Sequence, residues 1–291
     1  MTFNEAQTQI IHRLTDRYGA GEAASIVRIV LEDAFHWYPQ SKDRHLLREE
    51  IEQLNTISDR LDAGEPVQYV LGEADFFGLK FKVTPAVLIP RQETEALVAQ
   101  VLEYLKTERL PQPVLLDIGL GSGCIGLTLK KKFPALQLFG LEKSTEALNI
   151  ARENARAILG DNCSGLKLFQ GDILQPETWA DLPNFDLIVS NPPYIPATEK
   201  HLVPQHVQAH EPWLALFVED DDPLLFYRVI ADFSWQKLHP GGMLFFECNE
   251  FNAKEAAQML HSKGFINIQL EKDLSGADRL LSARKTINNT L

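Results

Sequence analysis

Between residues 114 and 247, short apolar runs alternate with amphipathic stretches. The apolar runs cover residues 114–118, 136–141, 166–169, 185–190 and 242–247, and helical periodicity lies between most of them, as in 144–159 and 223–238. Strands that alternate with helices are typical of βαβ units, whose parallel strands are buried on both faces. This part of the chain is therefore predicted to be an α/β domain with an open, mostly parallel sheet.

The first 75 residues have a different pattern, with apolar side chains such as Phe3, Ile10 and Leu14 at helical spacing. The spacing predicts a small bundle of four or five helices. Residues 76–87 alternate like strands around Gly78, which predicts a β-hairpin linker. We therefore expect a helical bundle at 1–75, a linker at 76–87 and a catalytic domain at 88–291.

Charge and cysteine content restrict the partners and the compartment. Forty acidic and 28 basic residues give a net charge of −12, which disfavours a polyphosphate partner. The only basic run, residues 130–132, is expected to be a solvated helix end. Cys124, Cys163 and Cys248 form neither a disulfide framework nor a CxxC pair, which favours a reducing, cytoplasmic setting without a metal site. No signal peptide or membrane span is predicted.

A glycine-rich loop follows the apolar run at 114–118. Gly121, Gly123 and Gly126 fit the dinucleotide pattern G-x-G-x-x-G. Gly119, Gly121 and Gly123, with an acidic residue two positions before the first, instead resemble the first motif of class I S-adenosylmethionine methyltransferases. The glycines alone do not separate these two interpretations from a purely structural strand-to-helix turn.

Two acidic residues end the next two predicted strands. Glu142 is placed to accept hydrogen bonds from ribose hydroxyls, which both NAD and S-adenosylmethionine have. Asp172 could accept from an adenine amino group, but it could equally cap a helix. Glu142 could likewise be a solvated loop residue, so both assignments stay open at this point.

The tetrapeptide Asn191-Pro192-Pro193-Tyr194 follows the apolar run at 185–190. The Asn191 side-chain oxygen and the Pro192 carbonyl can accept both N–H bonds of a planar NH₂ group and stabilise positive charge that develops on its nitrogen. The prolines fix φ and supply no competing donor, and Tyr194 offers a flat apolar face. Unless the tetrapeptide is merely a turn, it favours an enzyme that methylates an amino or amide nitrogen over one that transfers a hydride.

Several segments resemble one known family, the HemK/PrmC protein-(glutamine-N5) methyltransferases that modify peptide chain release factors. Residues 88–95 resemble the family's I-P-R-P-E-T-E signature, with Gln92 where proline is usual. Further similar segments are residues 66–72, 76–79, 211–212 with 215–216, and 273–279. The resemblance covers nearly the whole chain.

The resemblance implies an N-terminal helical bundle that recognises the substrate, followed along the chain by a seven-stranded, Rossmann-like class I methyltransferase domain. It implies methyl transfer from S-adenosyl-L-methionine, leaving S-adenosyl-L-homocysteine, to the glutamine amide of a Gly-Gly-Gln motif in a release factor. The implied catalytic residues are Asn191, Pro192 and Tyr194, and Pro193 joins them in binding the substrate. The implied cofactor residues are Gly119, Leu120, Gly121, Ser122, Gly123, Glu142, Asp172, Ile173 and Asn191. We expect a monomer that binds neither nucleic acid nor membrane.

The chain also departs from the family pattern. Leu120 replaces a common threonine, Glu142 the usual aspartate, and Ile173 a frequent aromatic residue. Residues 218–223 replace a glycine-containing segment, and residues 246–249 replace a Glu-Ile-Gly pattern.

Three alternatives remain open. The first is an adenine-N6 methyltransferase of DNA or RNA, because the adenine amino group poses the same geometric problem as the glutamine amide. The second is a glutamine methyltransferase that acts on a ribosomal protein. The third is a binding module that keeps the fold without the activity.

Overall fold

The computed structural model describes residues 1–160, 163–218, 222–273 and 275–287. The chain divides into two compact units. We call them the helical unit, Met1–Glu73 with Pro204–His210, and the sheet unit, Ala74–Val203 with Glu211–Leu291. The expectations about residues 219–221 and Leu274 lie outside the described residues.

The secondary structure alternates from the third strand onward. In chain order the elements are α1 (Phe3–Tyr18), α2 (Ala20–Phe35), α3 (Arg48–Asp62), α4 (Val67–Leu71), β1 (Glu73–Phe76), β2 (Leu79–Lys82), α5 (Gln92–Glu108), β3 (Val114–Ile118), α6 (Cys124–Lys132), β4 (Gln137–Glu142), α7 (Thr145–Leu159), β5 (Leu166–Gln170), β6 (Phe185–Ser190), β7 (Ile195–Pro196), α8 (Gln205–His210), α9 (Trp213–Leu216), β8 (Phe217–Val218), α10 (Leu225–Lys237), β9 (Leu238–Glu247), α11 (Ala253–Ser262), β10 (Ile266–Lys272) and β11 (Asp278–Arg284). Short 3₁₀ helices cover Pro176–Thr178 and Ala197–Leu202.

The helical unit begins with a well-capped helix. The Thr2 hydroxyl accepts from the Glu5 backbone N–H, and the Glu5 carboxylate accepts from the Thr2 N–H, so α1 has a capping box. Gly19, at φ 76°, ends α1 and leads directly into α2. The Phe3 ring stacks on Trp37 with centroids 5.5 Å apart, inside the apolar core of this unit.

Strands β1 and β2 form a two-stranded sheet. Phe77 and Gly78 join them, both with positive φ, as two-residue hairpin turns require. Phe76 and Phe81 are buried in a core cluster of the sheet unit. The hairpin starts earlier than the predicted segment at 76–87, because the first three residues of β1 are a glutamate, an alanine and an aspartate, which have low strand propensity.

The sheet unit contains a seven-stranded sheet in the order β10-β11-β9-β6-β3-β4-β5. The neighbours β9-β6, β6-β3, β3-β4 and β4-β5 pair in parallel, whereas β11 is antiparallel to both β9 and β10. The sheet is therefore mostly parallel, as predicted. The sequence pattern predicted five of the strands and missed the last two, β10 and β11.

Alternate side chains of the central strands enter different core clusters. In β3, Leu115 belongs to one cluster, and Leu116 and Ile118 belong to another. In β6, Leu187 joins the first cluster and Ile188 the second. Since side chains alternate between the faces of a strand, both faces of the sheet are covered, which explains why these strands are apolar throughout.

The basic run at the end of α6 is only partly solvated, so the expected solvated face is wrong for its first residue. Lys130 is buried, and its ammonium donates to the carbonyls of Pro134 and Leu136 at 2.8 and 2.7 Å. The Lys131 ammonium donates to the Ile158 carbonyl at 2.8 Å. These lysines therefore serve as internal donors to backbone oxygens.

Across the described ranges, no helix is both long enough and apolar enough to cross a membrane. The same residues contain no group of three or more His, Cys, Asp or Glu side chains that could hold a metal ion.

Candidate active site

The candidate site lies at the carboxyl ends of β3 and β6, where the strand order reverses. From β3 the chain builds β4 and β5 on one side and returns to place β6 on the other. Ile118 and Ser190, the last residues of β3 and β6, are register partners, and the Ser190 hydroxyl donates to the Ile118 carbonyl at 2.7 Å. Gly119 and Asn191 therefore start from neighbouring positions, at the switch point where open α/β sheets bind ligands.

The glycine loop is held against the end of β4. The backbone N–H of Gly119 donates to the Leu141 carbonyl at 2.9 Å, and Gly119 and Gly121 have φ values of 75° and 56°. The Glu142 carboxylate accepts from the Gly121 N–H at 2.8 Å through Oε2 and from the Ser144 N–H at 2.9 Å through Oε1. These two bonds fix the carboxylate between the loops that follow β3 and β4.

The remaining residues of the glycine loop serve the fold through packing, hydrogen bonding or helix capping. Leu120 is buried in a cluster with Leu148 and Ala151. Ser122 is buried, and its carbonyl accepts from Asn154 Nδ2 at 2.9 Å. Gly123 is the N-cap of α6 with φ 82°. The departure at Leu120 is accommodated because its side chain packs beneath α7.

The segment after β5 supplies one acidic and one apolar residue. The Asp172 carboxylate accepts from the Leu174 N–H at 2.9 Å and forms an ion pair with the Lys143 ammonium at 2.9 Å. The bond to Leu174 is an Asx turn, so the acid orders its own loop. Ile173 is buried, and its carbonyl accepts from Trp179 Nε1 at 3.0 Å.

A cavity of about 690 Å³ connects these segments. Of the residues predicted for the site, those that line it are Gly119, Gly121, Glu142, Asp172, Ile173, Asn191, Pro192 and Pro193. Leu120, Ser122, Gly123 and Tyr194 are not part of its lining. The cavity is thus shared by the end of β3, the end of β4, the segment after β5 and the end of β6.

Asn191 has a defined side-chain orientation. Its Nδ2 donates to the Thr94 hydroxyl oxygen at 3.3 Å, and the Thr94 hydroxyl donates to Glu247 Oε2 at 2.6 Å. Thr94 and Glu247 are both buried. Among the described residues, no donor reaches Asn191 Oδ1 or the Pro192 carbonyl, so both oxygens can accept from a ligand.

Tyr194 lies beside the sheet rather than in the cavity wall. Its ring packs against the core cluster that contains Ile118 and Ile188. Burial, together with a smaller contribution from the negative charge of Glu247, raises the pKa of its hydroxyl to about 12, so the phenol stays protonated near neutral pH.

The sequence interpretation assigned no role to Thr94, Glu247 or Glu211. Glu211 is buried, accepts from the Ile89 N–H at 3.3 Å and pairs with Arg91 at 2.5 Å. Thr94 and Glu211 lie in segments that were singled out only by resemblance. Glu247 ends an apolar strand in the same way as Glu142 does, which was the available signal.

Comparison with known proteins identifies the family. Residues 5–72 match the family model described as PrmC N-terminal domain, and residues 93–209 match the one described as Methyltransferase small domain. The chain is 40% identical to a release factor glutamine methyltransferase of Flavobacterium psychrophilum, with 97% of this chain and 98% of that protein covered. It is 39% identical to a release factor glutamine methyltransferase of Bacteroides thetaiotaomicron, with 80% of this chain and 81% of that protein covered.

A solved structure agrees at the level of fold. The crystal structure of a methyltransferase from Pyrococcus furiosus superposes with a TM-score of 0.51 at 20% identity, over 73% of this chain and 91% of that one. The fold, the two matched domain models and the 40% identity over nearly the whole chain point to the same conclusion. The chain belongs to the HemK/PrmC family of release factor glutamine methyltransferases.

Proposed function

We propose that the protein transfers a methyl group from S-adenosyl-L-methionine to the side-chain amide nitrogen of the glutamine in the Gly-Gly-Gln motif of a peptide chain release factor. The observation that carries the proposal is the pair of acceptors at the end of β6. Asn191 Oδ1 and the Pro192 carbonyl have no donor among the described residues, and both residues line the cavity.

The residues around the cavity fit the cofactor. A volume of about 690 Å³ is within the range of small-molecule sites. Apart from Gly119 itself and its two chain neighbours, no atom of the described residues lies within 4 Å of the position that a Cβ at Gly119 would occupy, so a ligand can approach the backbone there. Each Glu142 oxygen accepts one backbone N–H, which leaves capacity for ribose hydroxyls. Asp172 and Ile173 are proposed to bind the adenine, and Gly119 and Gly121, the loop residues that line the cavity, the methionine portion.

When bound, S-adenosyl-L-methionine supplies an electrophilic methyl group on a positively charged sulfur. The protein's own task is then to hold a poor nucleophile in place. Asn191 Oδ1 and the Pro192 carbonyl accept the two N–H bonds of the glutamine amide and direct its nitrogen at the methyl group. The same oxygens stabilise the positive charge that develops on the nitrogen. Since that nitrogen becomes acidic on alkylation, no strong general base is required.

The choice of a protein substrate is supported by charge. The net charge of −12 repels a phosphate backbone, and Lys130 and Lys131 donate to backbone carbonyls rather than facing a ligand. We expect the helical unit to bind the release factor, and we expect the protein to act as a monomer in the cytoplasm without nucleic acid.

Incubation with labelled S-adenosyl-L-methionine tests this function. We expect label in a release factor with Gly-Gly-Gln and none in its Gly-Gly-Ala variant, in DNA, in RNA or in ribosomal proteins. Equal labelling of both release factors, or labelling of nucleic acid or a ribosomal protein instead, would refute the proposal.

The role of the helical unit has a separate test. Removal of residues 1–73 should weaken binding of the release factor while the remaining chain still binds the cofactor. Unchanged release-factor affinity in the shortened protein would contradict this part of the proposal.

A further inference from the structure

A buried polar chain lies behind Asn191. Thr94 is in the first turn of α5 and is 3% exposed, and Glu247 is the last residue of β9 and is 2% exposed. Phe246 is the register partner of Ser190, so Glu247 and Asn191 both come one residue after that pair. The topology therefore brings Glu247 beside Asn191, and α5 adds Thr94 between them.

The direction of the hydrogen bonds in this chain follows from the number of protons. A threonine hydroxyl has one proton, and here Thr94 donates it to Glu247 Oε2 at 2.6 Å. Its oxygen can then only accept, so the neighbouring group must be a donor. Asn191 meets this requirement with Nδ2, at 3.3 Å. An amide turned by 180° would place Oδ1 against an oxygen that has no proton left to give.

Glu247 Oε2 accepts from the Thr94 hydroxyl at 2.6 Å. Burial raises the pKa of this carboxyl, and the Thr94 hydroxyl and the positive charge of Arg279 offset part of the rise. The negative charge of Glu93 also raises the pKa of Glu247, and the hydrogen bond from the Asn191 side chain also lowers it.

We propose that Thr94 and Glu247 are positioning residues that fix the orientation of the Asn191 amide, so that Oδ1 and not Nδ2 faces the cavity. The inference rests on the proposed function, in which Oδ1 accepts from the substrate amide. A reversed Asn191 would present a donor to a donor and could not hold the glutamine NH₂ group.

Substitution of Thr94 separates orientation from packing. Thr94→Val keeps the shape but removes the hydroxyl, and we expect kcat for release-factor methylation to fall about 10²-fold, as for a misplaced catalytic group. The KM and the dissociation constant for S-adenosyl-L-methionine should stay unchanged. Thr94→Ser restores the hydroxyl and should keep kcat within about threefold of wild type, because the hydrogen bonds can form again.

The chain offers a matched control. Thr128 is fully buried in α6, and its hydroxyl has no hydrogen-bond partner among the described residues. Thr128→Val makes the same chemical change in the same unit and should leave kcat unaltered. Glu247→Gln replaces the carboxyl group that accepts from Thr94 with an amide that can also donate, so it should lower kcat by at least about tenfold.

A second measurement does not depend on activity. In ¹⁵N spectra of the full-length protein without cofactor, the Asn191 side-chain NH₂ signal, assigned by its absence in Asn191→Asp, should show one proton protected from solvent exchange. Thr94→Val should remove this protection, and Thr94→Ser and Thr128→Val should keep it.

The proposal is overturned if Thr94→Val retains kcat within twofold, if Thr94→Ser fails to restore kcat, if Glu247→Gln matches wild type, or if Thr94→Val leaves the protection of the Asn191 NH₂ signal unchanged. Failure of the proposed function has a different signature. In that case wild-type protein does not methylate the release factor, while the NMR comparison still supports or overturns the orienting chain.

Discussion

Replacement of Asp117 by asparagine is expected to stabilise the sheet unit, and by more at pH 8 than at pH 6. Asp117 lies in the middle of the buried sheet, in β3, and is 1% exposed. Its Oδ2 accepts from the Gly126 N–H at 2.8 Å, but Oδ1 is buried with no partner among the described residues. Burial raises the pKa of Asp117 from 3.8 to about 7, with a smaller contribution from the negative charge of Glu142.

The sign follows from the two pKa values. Asp117 loses its proton near pH 4 in the unfolded chain and near pH 7 in the folded one, so rising pH favours unfolding throughout this interval. At about 1.4 kcal/mol per pH unit, the cost to folding is roughly 3 kcal/mol at pH 6 and levels off near 4 kcal/mol above pH 7. Asparagine has no charge to bury and does not incur this pH-dependent cost.

The assay is urea unfolding of wild type and Asp117→Asn at pH 6 and pH 8. Unfolding should be monitored by hydrogen exchange in peptides from β3 and α6, so that the measured free energy excludes unfolding of the helical unit. Asp181→Asn, at an exposed position, controls for the loss of one negative charge. The gain in free energy of unfolding should be about 1 kcal/mol larger at pH 8 than at pH 6. A difference between the two proteins that does not change with pH would refute the reasoning.

Three further predictions concern the candidate site. Asn191→Ala should abolish methyl transfer while calorimetry still detects S-adenosyl-L-methionine binding with near wild-type affinity, and an equal loss of both would contradict the assigned role. Gly119→Ala should cost about 1 kcal/mol of stability, because φ there is 75°. It should also weaken cofactor binding by at least about tenfold, because the methyl group enters space that is open in the cavity. Unchanged affinity in calorimetry would place the cofactor elsewhere. Tyr194→Phe should retain most of kcat in the methylation assay, because the half-buried phenol has a pKa of about 12 and keeps its proton near neutral pH. Tyr194→Ala should not retain it, and a severe loss in the phenylalanine variant would implicate the hydroxyl.

The elements with strong periodicity could be predicted from the sequence. The central strands β3, β4 and β6 are apolar because both faces of the sheet are covered, and that pattern is visible in one dimension. The final strands β10 and β11 were missed because neither has the continuous apolar run of the central strands. In β10, at the edge of the sheet, Ile266, Ile268 and Leu270 alternate with polar residues and no residue is buried. In β11, Ser282 interrupts the apolar residues. The hairpin was placed too late for a similar reason, since β1 begins with polar residues.

The candidate site divides in the same way. The sequence by itself determined which residues follow the strands, namely the glycines after β3, Glu142 after β4 and Asn191 after β6, because strand ends are readable from local patterns. Only the tertiary structure decided which of them meet. The register between Ile118 and Ser190 brings the glycines after β3 next to Asn191. The packing of α5 places Thr94, 97 residues away in the sequence, in hydrogen-bond contact with Asn191. Such contacts depend on strand order and helix placement, which no local pattern in the chain encodes.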